Sequence, residues 1–169
     1  YDSSYRLVGS EMCIRDSPRC DLGFRAGSRR RRRMTQVQVP AQGWEPRDYQ
    51  LPLLKYMTQD KKGLRAVVAW HRRAGKDLTC VNIVAIKALQ RVGTYWYVLP
   101  YGNQARRIVW NGMTGEGKKF IDYFPKELVE RKSEQEMRIH LKNGSVIQLM
   151  GSDDPDKMVG ANPVGVVFS

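Results

Sequence analysis

The residues best suited to bind a phosphate chain lie at residues 71–77, HRRAGKD, which we call the Gly-Lys loop. Backbone N–H groups beside a glycine can surround phosphate oxygens, a lysine can neutralise the β and γ phosphates, and an oxygen-bearing side chain can bind Mg²⁺. The usual pattern is G-x-x-x-x-G-K-[ST] between a strand and a helix. Gly75 and Lys76 fit this pattern, whereas Trp70 replaces the first glycine and Asp77 replaces the hydroxyl residue.

The pair Gly75-Lys76 also has a purely structural interpretation. A glycine often forms a turn before a helix, and Asp77 would be a good helix N-cap. The motif alone supports the two interpretations about equally, so the elements around the loop have to decide between them.

The flanking segments predict a strand before the loop and a helix after it. Residues 64–70 form an apolar, β-branched run typical of a strand buried on both faces. Residues 77–91 carry apolar residues at the spacing of a mostly buried helix. An earlier helix is predicted over residues 46–59, because Pro46 stands where helices often begin.

The remaining sequence alternates between strand and helix patterns. It predicts a strand at residues 94–99, helices at 103–110 and 117–124, a hairpin at 136–150, a helical turn at 153–159 and a buried strand at 164–168. The hairpin is centred on Asn143-Gly144, a strong two-residue turn signal. This order predicts an α/β core with a largely parallel sheet, helices on both faces and an inserted β-hairpin.

Residues 1–33 differ from the rest in composition. Residues 7–17, LVGSEMCIRDS, resemble a translated transposon-type sequencing adapter, and the arginine run at residues 29–33 resembles a translated ribosome-binding site. We therefore expect residues 1–33 to be a disordered, non-native leader and Met34 to be the natural start. The alternative is a genuine basic arm for nucleic acid or nuclear import.

Charge and cysteine content narrow the class of protein. The chain has a net charge of +12, and removing the leader's nine basic and four acidic residues leaves 20 against 13, or +7. Such a basic excess is typical of proteins that bind nucleic acid or an acidic surface, or of chains that carry a non-native terminus. Cys80 alone follows the leader, which excludes a disulfide framework or a cysteine zinc site, and we predict it to be a small buried hydrophobe. No apolar run has the length of a membrane span, so a soluble intracellular protein is expected.

Five segments together resemble the N-terminal ATPase domain of phage terminase large subunits. They are PRDYQ at residues 46–50, WHRRAGKD at 70–77, GTYWYVLP at 93–100, QARRIVW at 104–110 and GANPVGVVFS at 160–169. A loop with arginine before Gly-Lys and without the leading glycine is a hallmark of that family. The resemblance implies a P-loop NTPase core of the RecA/ASCE type, present in part over residues 34–169, with the family's C-terminal nuclease domain absent.

The resemblance also implies site residues. Lys76 would hold the β and γ phosphates, and Arg72 would act in cis on the γ phosphate. The other nucleotide-binding candidates are Gln50, Tyr49, Arg73, Ala74, Gly75 and Asp77. Gln50 either reads the adenine edge, which we favour, or is a polar residue on an amphipathic helix. Tyr49 either stacks on the base or lies in the core, and we favour the core. Arg73 has an alternative as a solvated charge or a DNA-phosphate contact.

The last strand matches the family strand that delivers the Mg²⁺-associated acid, formed here by Val166, Val167, Phe168 and Ser169. We expect the catalytic glutamate to follow Ser169 in the intact gene. Asp77 is a carboxylate where a hydroxyl is usual, and Ser169 is a hydroxyl where a carboxylate is usual. We therefore hypothesise that the two Mg²⁺ ligand types have been exchanged, with their total conserved.

Other polar residues carry weaker signals. The acidic turn with Asp153, Asp154 and Asp156 is interpreted as helix capping rather than a metal site. His71 and His140 lack partners at metal-ligand spacing. The basic pairs Arg106-Arg107, Lys118-Lys119 and Arg131-Lys132 are equally compatible with DNA-phosphate contacts and with solvated surface.

The function implied by the resemblance is ATP hydrolysis, with Mg²⁺ as cofactor, coupled to translocation of double-stranded DNA into a phage procapsid. The implied partners are DNA, the portal protein, the terminase small subunit and further copies in a ring, in the host cytoplasm. We expect this fragment to be inactive without the glutamate. The alternatives are a superfamily 2 helicase-type ATPase and a non-catalytic nucleic-acid-binding module.

Overall fold

The helices and strands are taken from a computed structural model, which describes residues 43–169. The predicted leader and the Met34 start lie outside the described residues. The longer helices are α1 (Leu51–Met57) and α2 (Lys76–Gln90), and the strands are β1 (Thr94–Leu99), β2 (Val129–Ser133), β3 (Arg138–Leu141), β4 (Val146–Gly151) and β5 (Gly165–Phe168). Shorter helical segments lie at Gly102–Gln104, Ala105–Trp110, Phe120–Tyr123 and Pro155–Met158. The fold is therefore mixed α/β.

Helix α2 begins where the backbone passes through a left-handed conformation. Gly75 precedes the helix with a φ of 77°, which glycine adopts without steric cost. The helix then continues for 15 residues and ends at an extended Arg91. Its start at Lys76 lies within one residue of the prediction.

The five strands form one sheet in the order β2-β3-β4-β1-β5. β1 is parallel to both β4 and β5, whereas β2, β3 and β4 pair in an antiparallel manner. The predicted parallel arrangement thus holds for the part next to α2, and the remainder is antiparallel. The inserted hairpin is confirmed as β3-β4, where Asn143 accepts a hydrogen bond from the Ser145 amide and Gly144 has a φ of 91°.

The main core lies on one face of the sheet. It combines side chains from α2, such as Val84, with inward residues of β1 and β4, such as Tyr97 and Ile147, and with Trp110 and Phe124. The opposite face carries a smaller cluster of three residues, Trp96, Val98 and Met150, against which Met158 packs. Within residues 43–169, α2 packs on the face of the main core, while the opposite face is contacted by Met158 of the 3₁₀ segment Pro155–Met158.

Two predicted buried strands differ from expectation. Residues 64–70 form no strand in the described part of the chain, and Val67 is fully exposed. A strand requires a neighbour to satisfy its N–H and C=O groups, and no such pairing forms here. β5 does form, but among residues 43–169 it pairs with β1 alone, and Phe168 is 75% exposed. An apolar, β-branched run favours a strand, but whether that strand pairs and is buried depends on the segments that pack beside it in the fold.

Three predicted helices are shorter or wound differently. α1 starts at Leu51 because the preceding residues form a turn, in which the Gln50 amide bonds to the Arg47 carbonyl. The helix predicted at residues 103–110 is largely a π-helix, Ala105–Trp110, and that at 117–124 is reduced to a 3₁₀ turn at Phe120–Tyr123. Among the described residues, no helix combines the length and apolar character needed to cross a membrane.

Candidate functional site

The Gly-Lys loop leads directly into the N-terminus of α2. The first helical hydrogen bond runs from the Thr79 amide to the Gly75 carbonyl at 3.0 Å. The N–H groups from Gly75 to Leu78 therefore precede the hydrogen-bond ladder of the helix. Such groups, together with the positive end of the helix dipole, form an environment that favours anions.

The loop itself is tightly turned. The Ala74 amide bonds to the His71 carbonyl at 3.3 Å, and Arg73 has a positive φ of 66°, which is uncommon for a residue with a side chain. Arg72 and Arg73 are both exposed. The loop thus presents two guanidinium groups to solvent beside the start of α2.

Lys76 bends back over the loop. Its ammonium group donates to the carbonyl of Trp70 at 3.1 Å. The ring of Trp70 contacts the ring of Tyr49 edge to face, with ring centres 5.5 Å apart. Trp70 therefore contributes its backbone to the loop although it replaces the glycine of the usual pattern.

Asp77 lies at the junction of three elements. Its Oδ1 atom accepts hydrogen bonds from Tyr97 Oη at 2.7 Å and from Ser169 Oγ at 2.6 Å. Tyr97 belongs to β1, and Ser169 follows β5, continuing its pairing through a bond from the Ser169 amide to the Val98 carbonyl. We call Asp77, Tyr97 and Ser169 the Asp77 cluster.

Tyr97 is buried in the main core, and its hydroxyl lies beside the side chains of Asp77 and Ser169. Burial, and secondly the charge of Asp77, raise the pKa of the Tyr97 hydroxyl well above its ordinary value. The hydroxyl thus stays protonated and acts as a donor at neutral pH. Its oxygen-to-oxygen distance to Asp77 is typical of a hydroxyl bound to a carboxylate.

Gln50 and Tyr49, which directly precede α1, contact the Gly-Lys loop at Ala74. Gln50 is 3% exposed, its Nε2 donates to the Ala74 carbonyl at 2.8 Å, and its Oε1 accepts from the Arg47 amide at 3.0 Å. Tyr49 Oη also donates to the Ala74 carbonyl, at 3.0 Å. Tyr49 is 42% exposed, so our preference for a core position was wrong: the phenol lies at the loop surface, where its hydroxyl can reach the backbone.

Cys80 lies one turn into α2 from Asp77. It is partly buried and packs against the main core. Burial, and secondly the charge of Asp77, raise the pKa of its thiol to about 11. Both features agree with the prediction of a small apolar residue and argue against a nucleophile, which requires a lowered pKa.

The remaining polar candidates serve local structure. Asp153 Oδ1 accepts from the amide of Gly102, the first residue of a short helical segment, and Asp154 pairs with Lys157. No group of three or more His, Cys, Asp or Glu residues within the described range could hold a metal ion. The guanidinium group of Arg106 donates to the carbonyls of Glu134 and Gln135, so it braces a turn.

The structure therefore brings most of the sequence candidates to one place. Gln50 and Tyr49 meet the loop at Ala74, and Ser169 meets it at Asp77. Tyr97 was not among the site residues predicted from the sequence. Its position in the predicted buried strand TYWYVL could have indicated it, because a buried tyrosine usually needs a hydrogen-bond partner for its hydroxyl.

Comparison with known proteins supports the same fold. No protein-family model matches the sequence, and neither does any curated protein. Among solved structures, the chain is similar to the ATPase domain of the large terminase of Thermus phage P74-26, with 19% sequence identity and a TM-score of 0.50. The similarity covers 78% of this chain and 58% of that one. The chain therefore has the fold of a phage large terminase ATPase domain, and it spans little more than half of that domain's length.

Proposed function

We propose that this chain is the ATP-binding part of a phage terminase large subunit, the ATPase that moves double-stranded DNA into a procapsid. The observation that carries the proposal is the Gly-Lys loop at the start of α2, with Ser169 placed 2.6 Å from Asp77 at the end of β5. The fold shared with a large terminase ATPase domain supports the same assignment.

Each loop residue receives a role in this proposal. Lys76 exchanges its bond to the Trp70 carbonyl for the β and γ phosphates. The N–H groups of Gly75 and Lys76 contact phosphate oxygens, and the Ala74 N–H joins them by giving up its bond to the His71 carbonyl. Arg72, exposed beside the loop, acts on the γ phosphate, where an arginine can accelerate transfer about 10³-fold or more. Arg73 has the same exposure and is the second candidate.

The Asp77 cluster fits Mg²⁺ by the chemistry of its donors. Mg²⁺ prefers oxygen ligands, and in nucleotide sites it usually takes one or two carboxylates together with substrate phosphates and water. Asp77 supplies one carboxylate, and Ser169 supplies a hydroxyl next to it. In this proposal Asp77 and Ser169 would hold Mg²⁺ with the ligand types exchanged, and the bound ion would supply positive charge against the phosphates.

The wider assignment follows from the family. We propose that residues 34–169 form part of the ATPase domain, that a nuclease domain completes the protein, and that it works in the host cytoplasm as a ring with a portal and a small subunit. The net charge of +7 that remains without residues 1–33, 20 basic against 13 acidic residues, supports DNA as a partner. Residues 1–33 are, in this proposal, a leader foreign to that protein.

Binding of a fluorescent ATP analogue to the full chain, with and without Mg²⁺, tests the assignment. Lys76→Met removes the phosphate contact and is expected to weaken binding at least tenfold, since charge-assisted contacts of this kind contribute about 1.5–3 kcal/mol. The matched control is Lys142→Met, an equal charge change at an exposed position in the β3-β4 turn. Absence of nucleotide binding by the unmodified chain, with DNA binding retained, would instead support the nucleic-acid-binding module.

A further inference from the structure

Tyr97 is the least explained member of the Asp77 cluster. It is among the most deeply buried side chains of the described residues, on the face of β1 that packs against α2. A hydroxyl in such a place costs stability unless it is bonded, so phenylalanine would be the simpler core residue. Its hydroxyl donates to Asp77 Oδ1 at 2.7 Å and also lies beside the Ser169 hydroxyl.

The strand that carries Tyr97 is held on both sides. Tyr97 pairs in register with Leu149 of β4 and with Val167 of β5, in the parallel part of the sheet. The phenol ring is therefore fixed by the sheet and by its packing, whereas Asp77 stands in the first turn of a helix. A bond from a fixed donor restricts the carboxylate more than a bond from an exposed side chain does.

The two oxygens of the Asp77 carboxylate differ in the hydrogen bonds that they accept. Both Tyr97 and Ser169 donate to Oδ1, at 2.7 and 2.6 Å. An ionised carboxylate has about four lone-pair sites, and two of those on Oδ1 are taken. The second oxygen, Oδ2, is thus the one whose capacity remains for a cation.

We propose that Tyr97 is a positioning residue for the nucleotide-associated Mg²⁺: it fixes the Asp77 carboxylate through Oδ1 and so keeps Oδ2 for the ion. This inference rests on the proposed nucleotide site and adds a residue to which the terminase resemblance gave no role. Tyr97 does not itself contact nucleotide or metal in this arrangement. Its effect appears in the affinity for Mg²⁺ and not in the affinity for nucleotide alone.

The decisive variant is Tyr97→Phe, which removes one oxygen and keeps the ring in the core. Binding of a fluorescent ADP is measured in the full chain over a series of Mg²⁺ concentrations and also in EDTA. Removing a residue that orients a metal ligand typically costs 10- to 100-fold in metal affinity. We expect the Mg²⁺ concentration for half-maximal tight binding to rise about tenfold, with the affinity in EDTA unchanged.

Tyr95→Phe is the matched control. Tyr95 lies two residues earlier on β1, is buried in the same core and places its hydroxyl at 2.8 and 2.7 Å from the Lys87 and Arg91 carbonyls, at the far end of α2. The Tyr95→Phe variant, like Tyr97→Phe, loses one hydroxyl oxygen from a side chain of β1. We expect the control to lower the thermal unfolding temperature without changing the Mg²⁺ dependence, as a merely structural role would.

Each outcome bears on the proposal in a defined way. A wild-type Mg²⁺ dependence in folded Tyr97→Phe overturns it and leaves the proposed function intact. Absence of nucleotide binding by the unmodified chain overturns both. If Tyr97→Phe abolishes the cooperative thermal transition, Tyr97→4-fluorophenylalanine decides, because the fluorine fills the space of the hydroxyl but cannot donate to Asp77. A shifted Mg²⁺ dependence in that folded variant supports the proposal, and an unshifted one overturns it.

Discussion

Ser169 donates a hydrogen bond of 2.6 Å from its hydroxyl to the carboxylate of Asp77, across 92 positions of sequence. The contact joins the end of β5 to the first turn of α2. Asp77 stands where phosphate-binding loops usually have a hydroxyl, so the pair contains one carboxylate and one hydroxyl in exchanged places. Exchanging the two residue types experimentally tests whether this arrangement matters for Mg²⁺ binding.

The reversal combines Asp77→Ser with Ser169→Asp. Asp77→Ser removes the carboxylate, and Ser169→Asp brings a second carboxylate against the first, which is unfavourable for like charges. We expect each single variant to raise the Mg²⁺ requirement of nucleotide binding about tenfold and the double variant to recover much of the loss. The measurement is the Mg²⁺ titration of fluorescent ADP binding.

The double variant also serves as the internal control, because it keeps one carboxylate and one hydroxyl and preserves the net charge. Recovery beyond the sum of the two single effects demonstrates coupling between the residues. A double variant that is as impaired as the two single changes added together contradicts the exchanged-ligand proposal.

Gln50 makes a second testable contact. Both ends of its side-chain amide are bonded within the protein, to the Ala74 carbonyl and to the Arg47 amide. If Gln50 hydrogen-bonded to adenine, its bond to the Ala74 carbonyl or to the Arg47 amide would have to break. We therefore expect Gln50→Ala to weaken ATP and GTP binding to the same extent, because the change loosens the Gly-Lys loop that serves both nucleotides.

The comparison uses competition between each nucleotide and a fluorescent analogue. Gln135→Ala, at an exposed position in the turn before β3, controls for the loss of an amide side chain. A loss of ATP affinity with GTP affinity retained would show that Gln50 recognises adenine, as the family resemblance implies.

Cys80 provides a pH-dependent test of how α2 packs. Burial, followed by the charge of Asp77, raises its thiol pKa from 9.0 to about 11. Only the thiolate reacts with alkylating reagents, so a pKa higher by two units predicts roughly 100-fold slower alkylation at pH 8 in the folded chain than in urea. The rate at Cys80 is measured by mass spectrometry of the peptide that contains it.

The sign of the accompanying stability effect follows from proton binding. Between about pH 9 and 11 the unfolded chain releases the Cys80 proton while the folded chain retains it. The stability contributed by the buried thiol is therefore complete below pH 9 and declines as the pH rises through this window. Equal alkylation rates in buffer and in urea at pH 8 would mean that Cys80 is accessible and that α2 does not pack as described.

The sequence by itself determined the elements whose signals are local. The bounds of β1 agree with the prediction because TYWYVL is dense in β-forming residues and is followed by Pro100. The start of α2 was readable because Gly75 permits the left-handed turn that precedes it. The β3-β4 hairpin followed from Asn143-Gly144. In each case, the residues that set the conformation are neighbours in the chain.

Tertiary structure alone decided which residues meet. Residues 64–70 had the composition of a buried strand, yet they form none in the described chain, because a strand depends on a neighbour that composition does not specify. Tyr97 reaches Asp77 only because β1 lies beneath the first turn of α2, with β5 ending alongside. Hydrogen bonds between distant residues depend on strand order and helix packing, so the loop could be found from the sequence, whereas the bonds holding Asp77 could not.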